Sequence, residues 1–227
     1  MNAGELYDHW RKDIFDTAEP YLWDEAEVWA YMLDAYRMFV RLTGGIADFT
    51  SEATRVEVVL GESVVALDPR ILRIMQVMRL SDGGEVEVLN LTDLSEKHGS
   101  SDYGAVVRRM SLPREGRVSE LVIGRQKGVG HLTVIPVEED TLQLAIYRLP
   151  LETALTEDFT FEDIGDEHVI HLGSWMKHLA FSKDDVETQN LDKAKAYEEA
   201  FRAYCSFTRR EWERSKHKTR VIGYGGI

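Results

Sequence analysis

The spacing of apolar residues changes twice along this chain, and that change limits what it can fold into. In DEAEVWAYMLDAYRMFVRL, residues 24–42, Val28, Trp29, Met32, Tyr36, Phe39 and Val40 recur at helical spacing and fill one broad face. From about residue 50 the pattern turns to short, β-branched, weakly alternating runs. From about residue 163 helical spacing returns. Helices on both sides of a β run imply an α+β chain: a helical bundle module interrupted by a β-rich insertion. The expected parts are N-terminal helices over 1–49, a β-rich insertion over 50–150, C-terminal helices over 151–214 and an extended C-terminal arm over 215–227. The pattern fits a single interrupted domain and two separate domains equally.

Local signals refine the boundaries. Asp24 followed by Glu27 is a capping box at the start of the second helix. Pro20 separates that helix from a first one, at roughly 3–17, and Gly44-Gly45 ends it. Residues 54–59, TRVEVV, read as a strand. Pro69 excludes a helix through SVVALDPRILRIMQVMRL. Asp82-Gly83-Gly84 joins two strand-like runs as a hairpin. A short helix is expected at LTDLSEKHG, then a loop rich in Gly and Ser, then strands at RVSELVIG, HLTVIPV and TLQLAIYRLP. In the C-terminal part Val169, Leu172, Met176 and Leu179 share one side of a helix. Ala194, Tyr197, Phe201, Tyr204 or Cys205, Thr208 and Trp212 form the stripe of a longer one.

With 227 residues and 44% hydrophobic content, the chain can bury a sizeable core. Its net charge of −13 argues against a freely diffusing nucleic-acid binder, whose affinity comes largely from neutralising phosphates. A single cysteine, Cys205, permits neither an internal disulfide nor a thiolate zinc site. No stretch reads as a secretory signal or a bilayer span, so the expectation is a soluble, intracellularly made protein with no membrane partner.

Candidate chemistry is sparse. His168, His171 and His178 can share a helix face near Asp166 and Glu167, and two histidines at such spacing can bind zinc. The spacing is neither H-E-x-x-H nor Glu-x-x-His, so packed or surface histidines are the commoner outcome. Cys205 falls mid-helix beside Tyr204 and Phe207, where a small buried hydrophobe is expected. Ser174 in LGSWM lacks the second glycine of a nucleophile elbow. GRQKGVGH, residues 124–131, has no phosphate-loop spacing, but its Arg125 and Lys127 suit a loop that faces phosphate or DNA. Arg108 and Arg109 extend that nucleic-acid alternative. The expectation is a protein that is not an enzyme and needs no cofactor. A metal-dependent enzyme built on residues 166–178 and a DNA-binding module are the alternatives.

The charge distribution says more. Residues 1–40 carry nine acids and three bases, a balance of −6, and residues 202–220 carry seven bases and two acids, a balance of +5. Bases at a helix C-terminus complement the dipole, which accounts for a few of them. The rest run on into a tail with three glycines in its last five residues. Such a segment suits docking onto an acidic surface or onto the acidic N-terminal part of a neighbouring copy. Its anchors are Arg214, Lys216, Lys218, Arg220, Val221, Ile222, Tyr224 and Ile227, and an extended arm of this kind can add a strand to another chain's sheet.

Four stretches in order, YLWDEAEVWAYMLDAYRMFVRLTG, VVALDPRILRIMQV, LQLAIYRLPLE and HLAFSKDDVETQNLDKAKAYEEAF, make the chain resemble the head-to-tail adaptor (connector, or head-completion) proteins of tailed bacteriophages. None is a catalytic signature; their order and spacing carry the resemblance. It implies a structural virion protein at the head-tail junction. Such a protein forms a homo-oligomeric ring, commonly a dodecamer, below the portal protein. The ring extends the channel through which genomic DNA passes without sequence-specific binding, and gives the tail or nozzle protein its platform. The resemblance also implies that the C-terminal arm docks on the portal.

Overall fold

A computed structural model of the chain describes residues 1–91, 99–184 and 188–216. The chain forms two compact units. One is built from Met1–Gly44 and Pro150–Ile227, the other from Gly45–Leu149.

The first unit is helical. Helix α1 spans Ala3–Asp13 and helix α2 spans Glu25–Thr43. Asn2 caps α1 by accepting from the Glu5 amide, and the Glu5 side chain answers on the Asn2 amide. Asp24 and Glu27 form the same reciprocal box on α2, as the spacing predicts. Gly44, at φ 114°, ends α2 in the left-handed region that a side chain would resist. The first helix stops earlier than the expected residue 17. Its last turn closes on a buried ion pair in which Arg11 donates to Asp16, while the two Asp16 oxygens also accept from the amides of Leu22 and Trp23.

After the β unit the chain re-enters the helical unit with α4 (Asp166–Val169), α5 (Leu172–Ser182) and α6 (Leu191–Lys216). Helices α2, α5 and α6 pack together around Trp10, Met32, Tyr36, Phe39, Met176 and Phe201, all essentially buried. Aromatic rings tie this core. Phe201 sits 5.2 Å from Trp175, Tyr36 sits 5.2 Å edge-on to Phe161, and Trp10 is edge-on to Trp23. The α5–α6 joint is a helix stop and restart. The Asn190 side chain accepts from the Lys193 amide and opens α6.

The second unit is a sheet that curls into a half-barrel. Its strands are β1 (Ile46–Asp48), β2 (Arg55–Val58), β3 (Val64–Ala66), β4 (Ile71–Arg79), β5 (Glu85–Asn90), β7 (Glu120–Gln126), β8 (Val129–Leu132) and β10 (Asp140–Arg148). The spatial order is β1-β10-β4-β5-β7-β8-β3, with β2 also paired to β10. Strands β6 (Arg114–Gly116) and β9 (Val134–Pro136) make a separate parallel pair. The Asp82-Gly83-Gly84 turn joins β4 to β5 as expected. Gly83 has φ 70°, and Asp82 accepts from Gly84 and from the Arg79 side chain, which with that amide lowers its carboxyl to about 2.

Strands β5 and β7 run parallel, which demands a long crossover. The crossover contains helix α3, Gly99–Ser111. The sequence reading takes this stretch for a Gly/Ser-rich loop, and the structure corrects it. Val106 is buried in a small cluster with Leu91, Val122 and the partly buried Met110, and that packing outweighs the poor propensity of the flanking residues. The helix expected at LTDLSEKHG lies mostly outside the described residues.

The half-barrel's core is aliphatic: Val56, Val65, Val77, Leu121, Leu132 and Leu144 belong to one cluster. It comes from alternation, as in β2, where Val56 and Val58 face in while Arg55 and Glu57 face out. At one end Asp48 binds Arg148 and accepts from Thr50 and Ser51. Burial alone would raise the Asp48 carboxyl, but these donors hold it well below the usual range.

Candidate functional site

The three histidines of the C-terminal part do not converge on a ligand. His168 is buried, with Nδ1 2.8 Å from the Tyr204 hydroxyl and its ring among Phe39 and Trp212. His171 stacks on Tyr204 at 3.7 Å between ring centres. Burial, and then the neighbouring His168, push its pKa down. His178 lies against Trp175, and its Nδ1 donates to the Ala194 carbonyl at 3.0 Å, which fixes the tautomer. His168 and His178 pack and hydrogen-bond within the helical unit, and His171 packs by stacking. Asp166 accepts from the N-terminal ammonium at 3.0 Å instead of joining a metal shell. Among the described residues no group of three His, Cys, Asp or Glu side chains is placed to hold a metal. Cys205 is buried, and burial pushes its thiol up to about 12, so it has no thiolate character. Ser174 sits in the first turn of α5, away from any strand-to-helix elbow.

The charge asymmetry is reshaped by the fold. Of the nine acids in residues 1–40, Glu5 and Asp24 are caps, and Glu25 accepts from the Trp29 indole. Asp16 holds Arg11, Asp13 holds Lys177, Glu27 holds Lys183, and Asp34 accepts from the Trp175 indole at 2.7 Å. These acids hold the helical unit together. The basic stretch is partly self-neutralised as well. Arg202 pairs with Glu198 and Arg209 with Glu213, one turn apart on α6. Arg214 is exposed near the end of that helix, which runs to Lys216, just past the expected start of the arm. Lys218, Arg220, Val221, Ile222, Tyr224 and Ile227 lie outside the described residues.

The β unit presents the more open chemistry. Arg125 and Lys127 lie at the β7–β8 hairpin, and both are exposed. They border a cavity of about 360 Å³ together with Asp68, Ile71 and Asn90. Gly124 and Gly128 in the same hairpin take φ of 93° and 76°. Arg108 and Arg109, from the end of α3, open onto a different cavity of about 670 Å³ beside Arg114, and Arg109 pairs with Glu120 at 3.2 Å. The basic residues of the nucleic-acid alternative therefore fall into two separate places on this unit.

A third feature was missed by the sequence reading. Strand β2 pairs only with β10 and strand β3 only with β8, so both leave an edge without a ladder partner among the described residues. Strands β2 and β3 line a groove of about 940 Å³, joined at one end by the turn through Gly61. Its walls carry half-exposed apolar side chains, Val59, Val64 and Leu80, and the acids Glu52, Glu57 and Glu62. The signal was available, since EVVLGESVV is apolar on both sides of its turn. Nothing in it distinguishes a closed hairpin from two splayed edges. Among the described residues no helix is long and apolar enough to cross a membrane.

No curated protein matches the chain. The family model for the SU10 adaptor protein matches residues 1–220, nearly the whole chain and both units. The order of helical, β and helical segments that makes the sequence resemble a phage adaptor is thus matched by an independent comparison. The chain belongs to the SU10 adaptor protein family and is a structural, adaptor-type protein of the bacteriophage virion.

Proposed function

We propose that the chain forms a closed ring below the portal, extends the DNA channel and offers the tail its platform. The observation that carries this reading is the family match across residues 1–220. The surfaces described above support it. A ring of identical subunits uses heterologous contacts, so each copy needs two different patches. The β unit supplies exposed apolar and charged patches of the right kind, and the histidines of the metal alternative are engaged in packing within the helical unit. A net charge of −13 per copy also favours a channel wall along which DNA slides instead of sticking. The number of copies is proposed as twelve, by analogy with the family. The test is electron microscopy of the chain mixed with its portal. Closed rings seated on the portal are expected. Chains that stay monomeric with portal present, in a preparation whose fold is intact by circular dichroism, would overturn the reading.

A further inference from the structure

We propose that the loop after α1 carries a knob, Phe15, that seats in the arginine-lined cavity on the β unit of a neighbouring copy. Helix α1 closes through a left-handed residue, a place that glycine or asparagine usually fills. Here that residue is Phe15, at φ 61°, a backbone conformation that strains an aromatic residue. Its side chain recovers nothing from the fold, since Phe15 is 92% exposed. The loop that presents it is fixed from several sides. Buried Asp16 binds Arg11 and accepts from the amides of Leu22 and Trp23, and the Arg11 guanidinium lies 4.1 Å from the centre of the Tyr21 ring. Asp16 thereby ties Leu22, itself 51% exposed, to the residue that follows Phe15. Backbone strain held by an over-determined loop, at a side chain that adds nothing to the core, points to a contact made with another molecule.

Charge and size select the receiving site. Residues 14–22, IFDTAEPYL, hold no base. With Asp16 spent on Arg11, their free charge is Glu19, exposed and without a partner among the described residues. The cavity beside the end of α3, about 670 Å³, offers the complement. Leu112, 75% exposed, and Val134 supply its apolar wall, and Arg109 is offset by Glu120. Arg108 and Arg114 are exposed, with no acid partner among the described residues. Phe15 and Leu22 can cover Leu112 and Val134 while Glu19 meets the two free guanidiniums. The groove lined by β2 and β3 carries Glu52, Glu57 and Glu62, which repel Glu19, and the cavity at Arg125 and Lys127 is smaller, about 360 Å³. Phe15 stands in water on its own chain, so the receiving cavity is that of a second copy. A knob and a hole at different places on one chain make a heterologous contact, the kind that a closed ring repeats. The inference rests on the ring reading and names one of its contacts.

The test starts from Phe15→Gly in the full chain. Glycine takes this φ without strain, so the Tm of the monomer should stay level or rise. The concentration at which rings form on purified portal should rise about tenfold or more, as for an interface hot spot. A lower Tm would make Phe15 part of the fold, and rings at the parent's concentration would make it idle; either result overturns the proposal. A photoreactive benzophenone amino acid at position 15 then identifies the partner, in rings mixed from isotope-labelled and unlabelled copies. Cross-links to peptides that carry Leu112 or Val134 of another copy are expected. Capture of the portal, or of any other part of the chain, overturns the proposal. Arg108→Glu with Arg114→Glu should weaken ring formation about fivefold at low salt, the scale of one reversed surface contact, and adding Glu19→Lys should recover most of it. Loss without recovery also counts against the contact. A parent chain that forms no ring removes the ring reading together with this contact, whereas parent rings cross-linked elsewhere leave that reading standing.

Discussion

The two units use charge and aromatic side chains in opposite ways. In the helical unit almost every early acid has an internal job: a cap, an ion pair with Arg11, Lys177 or Lys183, or an indole to accept from. All five tryptophans belong to that unit. The β unit closes a purely aliphatic core and leaves its surface open, with unpaired edges, exposed Phe49, Leu60 and Leu80, and acids that face a groove. The difference separates two tasks. One unit uses its charges within its own fold, and the other leaves apolar and acidic side chains at its surface.

The strongest way to break this comparison is through the helical core. Phe39→Ala removes a ring packed against Phe201, His168 and Trp212. It should cost about 4 kcal/mol, the usual scale for a buried phenylalanine. Because every tryptophan reports on the helical unit, the loss should appear as an earlier tryptophan fluorescence transition in urea. Hydrogen exchange in β4 and β10 should stay near its original level. An equal loss of protection in those strands would show that the units fold as one body.

The matching perturbation in the β unit is Asp48→Asn. It leaves the Arg148 guanidinium without its counter-charge in a site where both side chains are almost fully covered. The cost should be about 3 kcal/mol, as for one member of a buried pair. Here hydrogen exchange in β1 and β10 should report the loss and tryptophan fluorescence should not. The pH dependence has a definite sign. The folded-state pKa of Asp48 lies below its unfolded value, so its contribution is present above about pH 4 and fades as pH falls through the folded pKa. The variant should therefore show a flatter acid limb than the parent protein. An unchanged acid limb would mean that other carboxylates dominate.

Much of this was legible in the sequence, for reasons that particular residues make plain. Asp24 with Glu27, and Gly44 after the stripe ending at Val40, are local signals, and local signals survive folding. Asp82-Gly83-Gly84 is another. Helix α3 was missed because GSSDYGAVV is poor in helix formers, and only Val106 meeting Val122 across the crossover makes it fold. The internal partners of the N-terminal acids were not legible for a related reason. Charge counted along a chain says nothing of partners, and Lys177 and Lys183 stand more than 150 residues from Asp13 and Glu27. The groove was hidden because whether β2 meets β3 depends on the sheet as a whole.

A smaller effect should come from Asp24→Ala. The side chain caps α2 and takes part in the reciprocal box with Glu27. Losing it should cost about 1 kcal/mol. The change should appear in the tryptophan transition alone, and it should add to that of Asp48→Asn, since the two sites share no partner. A clear departure from additivity would couple the units energetically.

The smallest expected effect sharpens the comparison most. Val64→Thr and Leu80→Ser alter side chains that stand half out in water on the walls of the groove. If the β unit's open surface serves a partner and not its own fold, each should move stability by no more than about 0.5 kcal/mol. Leu142→Ala, a comparable truncation on β10 where the side chain is fully buried, should cost about 3 kcal/mol. Hydrogen exchange in β7 and β10 separates the two cases. Loss of protection with Val64→Thr near that of Leu142→Ala would make the groove wall part of the core. A native exchange pattern combined with fewer closed rings on the portal would mean that the exposed apolar wall stabilises the assembly and not the monomer.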